Sequence, residues 1–160
     1  MLSGEELEHF LKRLALTRAV AGAAAASILV CVGLAAVLGV GGPTTPAAEA
    51  LRGVFYLLAA GLIGTAVFLR RRLFSDERLR RSAGGGLPAL MTAVQTGQVV
   101  LCASWEGLAV LGLVLAILSR SAADLWPFAG ASALGLYSCW PRRRDWEERA
   151  ERALRSAFRE

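Results

Sequence analysis

Long apolar runs, separated by clusters of arginine, constrain this chain more than any other feature. A spanning helix needs a window of about 19 residues. Four apolar stretches suit that ruler, 15–40, 50–69, 88–118 and 125–140, the last being the shortest. The third stays helix-compatible from Leu87 to Ser119, roughly 50 Å at 1.5 Å per residue, so only about Gln98 to Leu118 is expected in lipid. Composition agrees: 55% of the 160 residues are hydrophobic and 19% are charged, where a soluble domain carries about a quarter charged residues. The expectation is an all-α membrane domain over 1–160, an up-and-down bundle of four transmembrane helices.

Sidedness follows from the cations. Lys12, Arg13 and Arg18 precede the first span, Arg70, Arg71, Arg72, Arg78, Arg80 and Arg81 lie between the second and third, and seven arginines follow the fourth. Only Arg52 and Arg120 fall on the other side of a four-span path. The positive-inside rule then puts both termini and the middle loop in the cytoplasm, with the first span as an uncleaved helix. Trp126 at one end of the fourth span, and Tyr137 and Trp140 at the other, suit the two interfaces.

Outside the spans, two amphipathic cytoplasmic helices are expected. Residues 3–14 carry a capping box at Ser3 and Glu6 and an apolar stripe of Leu7, Phe10, Leu11 and Leu14. Residues 145–159 carry the stripe Trp146, Ala150, Leu154 and Phe158, with Glu148–Arg152 and Glu151–Arg155 spaced for ion pairs. The favoured role for both is anchoring on anionic lipid, with packing on each other or on a partner as alternatives. Arg70, Arg71, Arg72, Arg142, Arg143 and Arg144 are the expected headgroup contacts. The middle segment reads as an arginine-rich loop ending in a Gly84-Gly85-Gly86 joint, with no Gly-Lys-Ser/Thr to make it a phosphate loop. Small residues in the first span (Gly22 with Ala26, Ala35 with Gly39) and the fourth (Ala131 with Gly135) permit close helix contacts.

Chemistry-bearing residues are sparse. Cys31, Cys102 and Cys139 sit in three different spans without a CxxC pair, and His9 is the single histidine. No metal, cofactor or nucleic-acid site is expected. Glu106 is the exception, a carboxylate within about a turn of the midplane, where an acid costs about 2.5–3.5 kcal/mol. At 100° per residue, Thr92, Gln95 and Cys102 fall within about 40° of Glu106, and Gln98 about 80° to one side. The third helix therefore has a polar wall running from the cytosolic interface down to the carboxylate. Either Glu106 is protonated and donates a hydrogen bond to a neighbouring helix, or it exchanges a proton or cation along Gln95, Gln98 and Cys102.

The run Glu106-Gly107-Leu108-Ala109-Val110-Leu111-Gly112-Leu113-Val114-Leu115-Ala116-Ile117-Leu118 resembles the carboxylate-bearing helix of the proteolipid (c) subunit of rotary ATPases. Matching positions are Glu106, Ala109, Gly112, Val114, Ala116 and Leu118. The resemblance covers about 20 residues of the 160 and implies that Glu106 is a proton or sodium site. The second span, with Gly53, Gly61 and Gly64, lacks the closely repeated glycines of the family's partner helix, so the likeness is to one helix and not to a rotor subunit. The layout as a whole resembles four-span bacterial membrane proteins without an assigned role, which implies residence in the bacterial inner (plasma) membrane. The function expected from all this is non-catalytic: an accessory or structural subunit that meets the lipid bilayer and a membrane-protein partner or a second copy of itself. A proteolipid-like, ion-coupled protein centred on Glu106 is the alternative.

Overall fold

A computed structural model describes the backbone of residues 4–38 and 46–157, and the side-chain surroundings of 8–38, 48–148, 151 and 152. All its regular elements are helical: α1 (Gly4–Val37), α2 (Pro46–Leu73), α3 (Asp76–Ala83), α4 (Gly86–Ser119), a single 3₁₀ turn (Ala122–Asp124), α5 (Leu125–Ser138) and α6 (Arg143–Ala157). Three of them, α1, α2 and α4, are long and apolar enough to cross a membrane. The 14-residue α5 is about 21 Å long and falls short of that measure by itself. The long helices and α5 run alternately up and down, and α4 stands at the centre, in contact with α1, α2 and α5.

The seam between α1 and α4 organises the bundle. On α1 the buried residues are Phe10, Leu14, Thr17, Ala21, Ala24, Ile28, Cys31 and Ala35. Their spacing alternates strictly between four and three, the heptad pattern of helices that wrap around each other left-handedly. The facing residues change size along the seam. Near the helix starts they are large: Phe10 and Leu14 share a core with Leu87, Leu90, Met91 and Val94. Farther along they are small: Ala21, Ala24 and Ala35 meet Cys102, Ala109 and Ala116. In water, burying large apolar groups drives association. In lipid it does not, and small residues that let backbones approach take over.

Several expectations need correction. Residues 4–37, which cover most of the segments 3–14 and 15–40, form one uninterrupted helix, because neither Gly nor Pro lies near the Leu14–Ala15 junction. The middle loop contains α3, which buries Leu79 and Ala83. Eight residues are too few to be helical alone, so packing against α4 and α6 supplies the stability. Ser121 and Asp124, whose spacing reads in the sequence as a capping pattern ahead of the fourth span, make no side-chain cap. The chain turns instead at Arg120, left-handed at φ 54°, with Ser121 N–H donating to the Ala116 carbonyl. Gly22 has open space around it and Ala26 is exposed, so that small pair lies outside the seam that Ala21 and Ala24 make. Ser3, Gly39 and Phe158, and the side chains of Glu6, Leu7, Ala150 and Leu154, lie outside the described residues.

The arginine-bearing end carries a second core. Phe10 and Leu14 of α1, Leu79 and Ala83 of α3, the start of α4, and Trp146 of α6 bury one another. Phe10 meets Trp146 edge-on at 6.1 Å between ring centres. The apolar sides of these segments thus face each other. In α6, Arg143 pairs with Glu147 (2.6 Å) and Arg144 with Glu148 (2.8 Å), and Arg152 donates to the Glu148 backbone carbonyl. The Glu148 carboxylate, by hydrogen bond and by charge, raises the pKa of the Arg144 guanidinium.

Candidate functional site

Five residues of α4 make up the polar wall expected from the sequence, and the structure sends them to different neighbours; Thr92 donates to the Pro88 carbonyl of its own helix. Gln95 accepts a hydrogen bond from Arg13 Nη1 of α1 at 2.7 Å. Gln98, buried, donates to the Cys139 carbonyl at the end of α5. Cys102 is buried in the α1 seam. Glu106 is half-buried in the second half of α4, within electrostatic reach of Cys31 and Cys102. No hydrogen bond or ion pair reaches its carboxylate among the described residues. The two glutamines therefore join helices, and the carboxylate stands apart from them. No cluster of three or more His, Cys, Asp or Glu residues is present among the described residues.

On the α5 side, α4 presents a stripe of Gln98, Trp105, Gly112 and Ser119, again seven residues apart. Three of them meet α5 or its end, Gln98 through the Cys139 carbonyl described above. Ser132 Oγ donates to the Trp105 carbonyl at 2.5 Å. Gly135 lies against the Trp105 indole, where a Cβ would overlap the ring, and a Cβ at Gly112 would come within 2.9 Å of Phe128 Cγ. Close approach of backbone and ring is what glycine permits at these two positions. The sequence holds this stripe, but nearly every residue around it is apolar as well, so periodicity alone does not expose it.

A pair the sequence did not announce joins α2 to the 3₁₀ turn. Arg52 Nε donates to both Asp124 oxygens, at 2.9 and 3.0 Å, with the carboxylate mostly covered. Four helical turns or more from the arginine-rich end, this charge-assisted bond fixes the far corner of the bundle, and Tyr56 stacks on Phe128 beside it.

The six arginines expected at headgroups share one end and are exposed. Arg143 and Arg144 are engaged by acids of α6. Arg70, Arg71, Arg72 and Arg142 have no carboxylate partner among the described residues, and Arg142 lies 5.6 Å over the Tyr137 ring. Arg18 donates to the Pro141 carbonyl at 3.2 Å, tying α1 to the segment that leads into α6. Comparison of the chain with protein-family models, curated proteins and solved structures finds no match.

Proposed function

We propose that this chain is a multi-pass membrane protein that acts by contact, as a non-catalytic accessory or structural subunit of a membrane assembly. The observation that carries this reading is the helical cap, in which the start of α1, α3 and α6 share a core around Trp146. That core makes a rigid water-facing platform on top of a membrane anchor, and its outer surface is charged. A four-span path in the bacterial inner membrane, with both termini cytoplasmic, fits the same geometry. The 3₁₀ turn and α5 together run about 27 Å beside α4, from Ser119 to Gln98, close to the hydrocarbon thickness of about 30 Å.

Photo-crosslinking groups at Arg81, on the exposed side of α3, and at Leu57, on the open face of α2, test the reading in native membranes. Adducts to another membrane protein or to a second copy are expected from at least one position. Adducts to lipid alone from both positions would overturn the proposal.

One observation favours the ion-coupled alternative: the Glu106 carboxylate lacks a partner among the described residues. That reading expects a carbodiimide, which attacks protonated carboxyls, to label Glu106 at a rate that falls as pH rises. Glu106→Gln should be unlabelled and still inserted. Wild-type protein that resists labelling at acid pH removes the alternative.

A further inference from the structure

Helices α2 and α5 both pack on α4, and they meet each other where Arg52 holds Asp124 and Tyr56 stacks on Phe128. Toward the arginine-bearing end a crevice lies between them. It comprises a cavity of about 190 Å³ beside Tyr56 and a larger one of about 380 Å³ beside Arg70, and Ile63 and Ala131 line both. The walls are apolar, with the Trp105 ring among them. Arg70 and Ser138 line the larger cavity and also a small polar cavity of about 30 Å³ that reaches Arg142 and Asp145. One crevice thus joins an oily slot to a cationic mouth.

We propose that this crevice seats one acyl chain of an anionic phospholipid, with the lipid phosphate held by Arg70 and Arg142. Length fits. From Tyr56 to Arg70 is about 21 Å along α2, while one leaflet of a 30 Å hydrocarbon core is roughly 15 Å deep. Charge fits as well, since the two mouth arginines have no carboxylate partner among the described residues while their neighbours Arg143 and Arg144 do. The continuity of mouth and slot points to a whole lipid and not to a free phosphate. Asp145, the acid at the mouth, sits on the α6 side.

The test uses the full chain in detergent and native mass spectrometry, with phosphatidylglycerol and phosphatidylcholine of identical acyl chains as probes. Wild-type protein is expected to retain phosphatidylglycerol about tenfold over phosphatidylcholine. Arg70→Gln should lower that preference about fivefold, the effect of one arginine beside an anionic headgroup. Ala131→Phe fills the crevice and should lose both lipids; Val67→Phe, from the open face of α2, does the same should the first variant not fold. Excess glycerol phosphate should displace nothing. Equal retention of the two lipids by wild-type protein overturns the proposal, as does an unchanged preference in Arg70→Gln. So do phosphatidylglycerol retained by a folded crevice-filling variant, displacement by glycerol phosphate, or a protein in place of a lipid crosslinked at position 131.

Discussion

Replacing Trp146 with alanine is expected to detach α6 from the rest of the molecule while leaving the membrane helices assembled. Trp146 is 1% exposed and touches residues from three other helices. Truncating a buried tryptophan to alanine costs about 3–5 kcal/mol, which exceeds what a short amphipathic helix has to hold it in place. Amide exchange in α6 should accelerate at least a hundredfold, and trypsin should cut at its arginines, while exchange in α4 stays near the wild-type rate. Trp146→Phe is the informative companion. The indole N–H is buried without a hydrogen-bond partner among the described residues, so phenylalanine relieves a penalty of about 1–3 kcal/mol while giving up some volume. It should cost far less than alanine. Unchanged α6 exchange in Trp146→Ala would show that the cap is held by something else.

Gly135→Ala is expected to be the most damaging single methyl in the membrane half. The added carbon overlaps the Trp105 indole, a rigid ring wedged among α2, α4 and α5. Overpacking of this kind costs about 1–3 kcal/mol. If α5 moves away to make room, the Ser132 bond to the Trp105 carbonyl is lost too, for about 0.6 to 1.7 kcal/mol. The control is Gly61→Ala on α2, where nothing lies within 4 Å of the new methyl. That change should be neutral, or stabilising by up to about 1 kcal/mol through helix propensity. Thermal unfolding in detergent separates the two, and trimming the ring with Trp105→Leu should recover at least 1 kcal/mol of the Gly135→Ala loss, because the two sites touch. Equal behaviour of the two glycine variants would mean that α4 and α5 pack differently.

The helical character of the chain was legible because its signals are local. Runs of apolar residues and the arginines beside them can each be read without knowing any contact. The extent of α4 is a case in point: polar Gln95 and Gln98 did not interrupt the helix, and it runs to Ser119 as expected. Legibility ended where neighbours decide. In the first span nearly every residue is apolar, so nothing local separates Ala21 and Ala24, which face α4, from Gly22 and Ala26, which do not. Helix α3 escaped notice because its charged surface hides the two residues, Leu79 and Ala83, that make it part of a core.

The candidate site divides along the same line. Glu106 stood out because one acid in an apolar helix is costly wherever the helix sits. Its grouping with Gln95 and Gln98 rested on a shared helix face, and a face about 80° wide meets more than one neighbour. Arg13 claims one glutamine and the end of α5 the other. Amino-acid order alone determined which segments are helical in oil and which end carries the positive charge, since both depend on composition within a few turns. Only the tertiary structure decided that Arg52 holds Asp124 across 72 residues of chain, that Trp146 closes a core with Phe10, and that α2 and α5 leave a slot ending at Arg70. Each of those depends on which helices become neighbours, a choice made by the fit of whole surfaces.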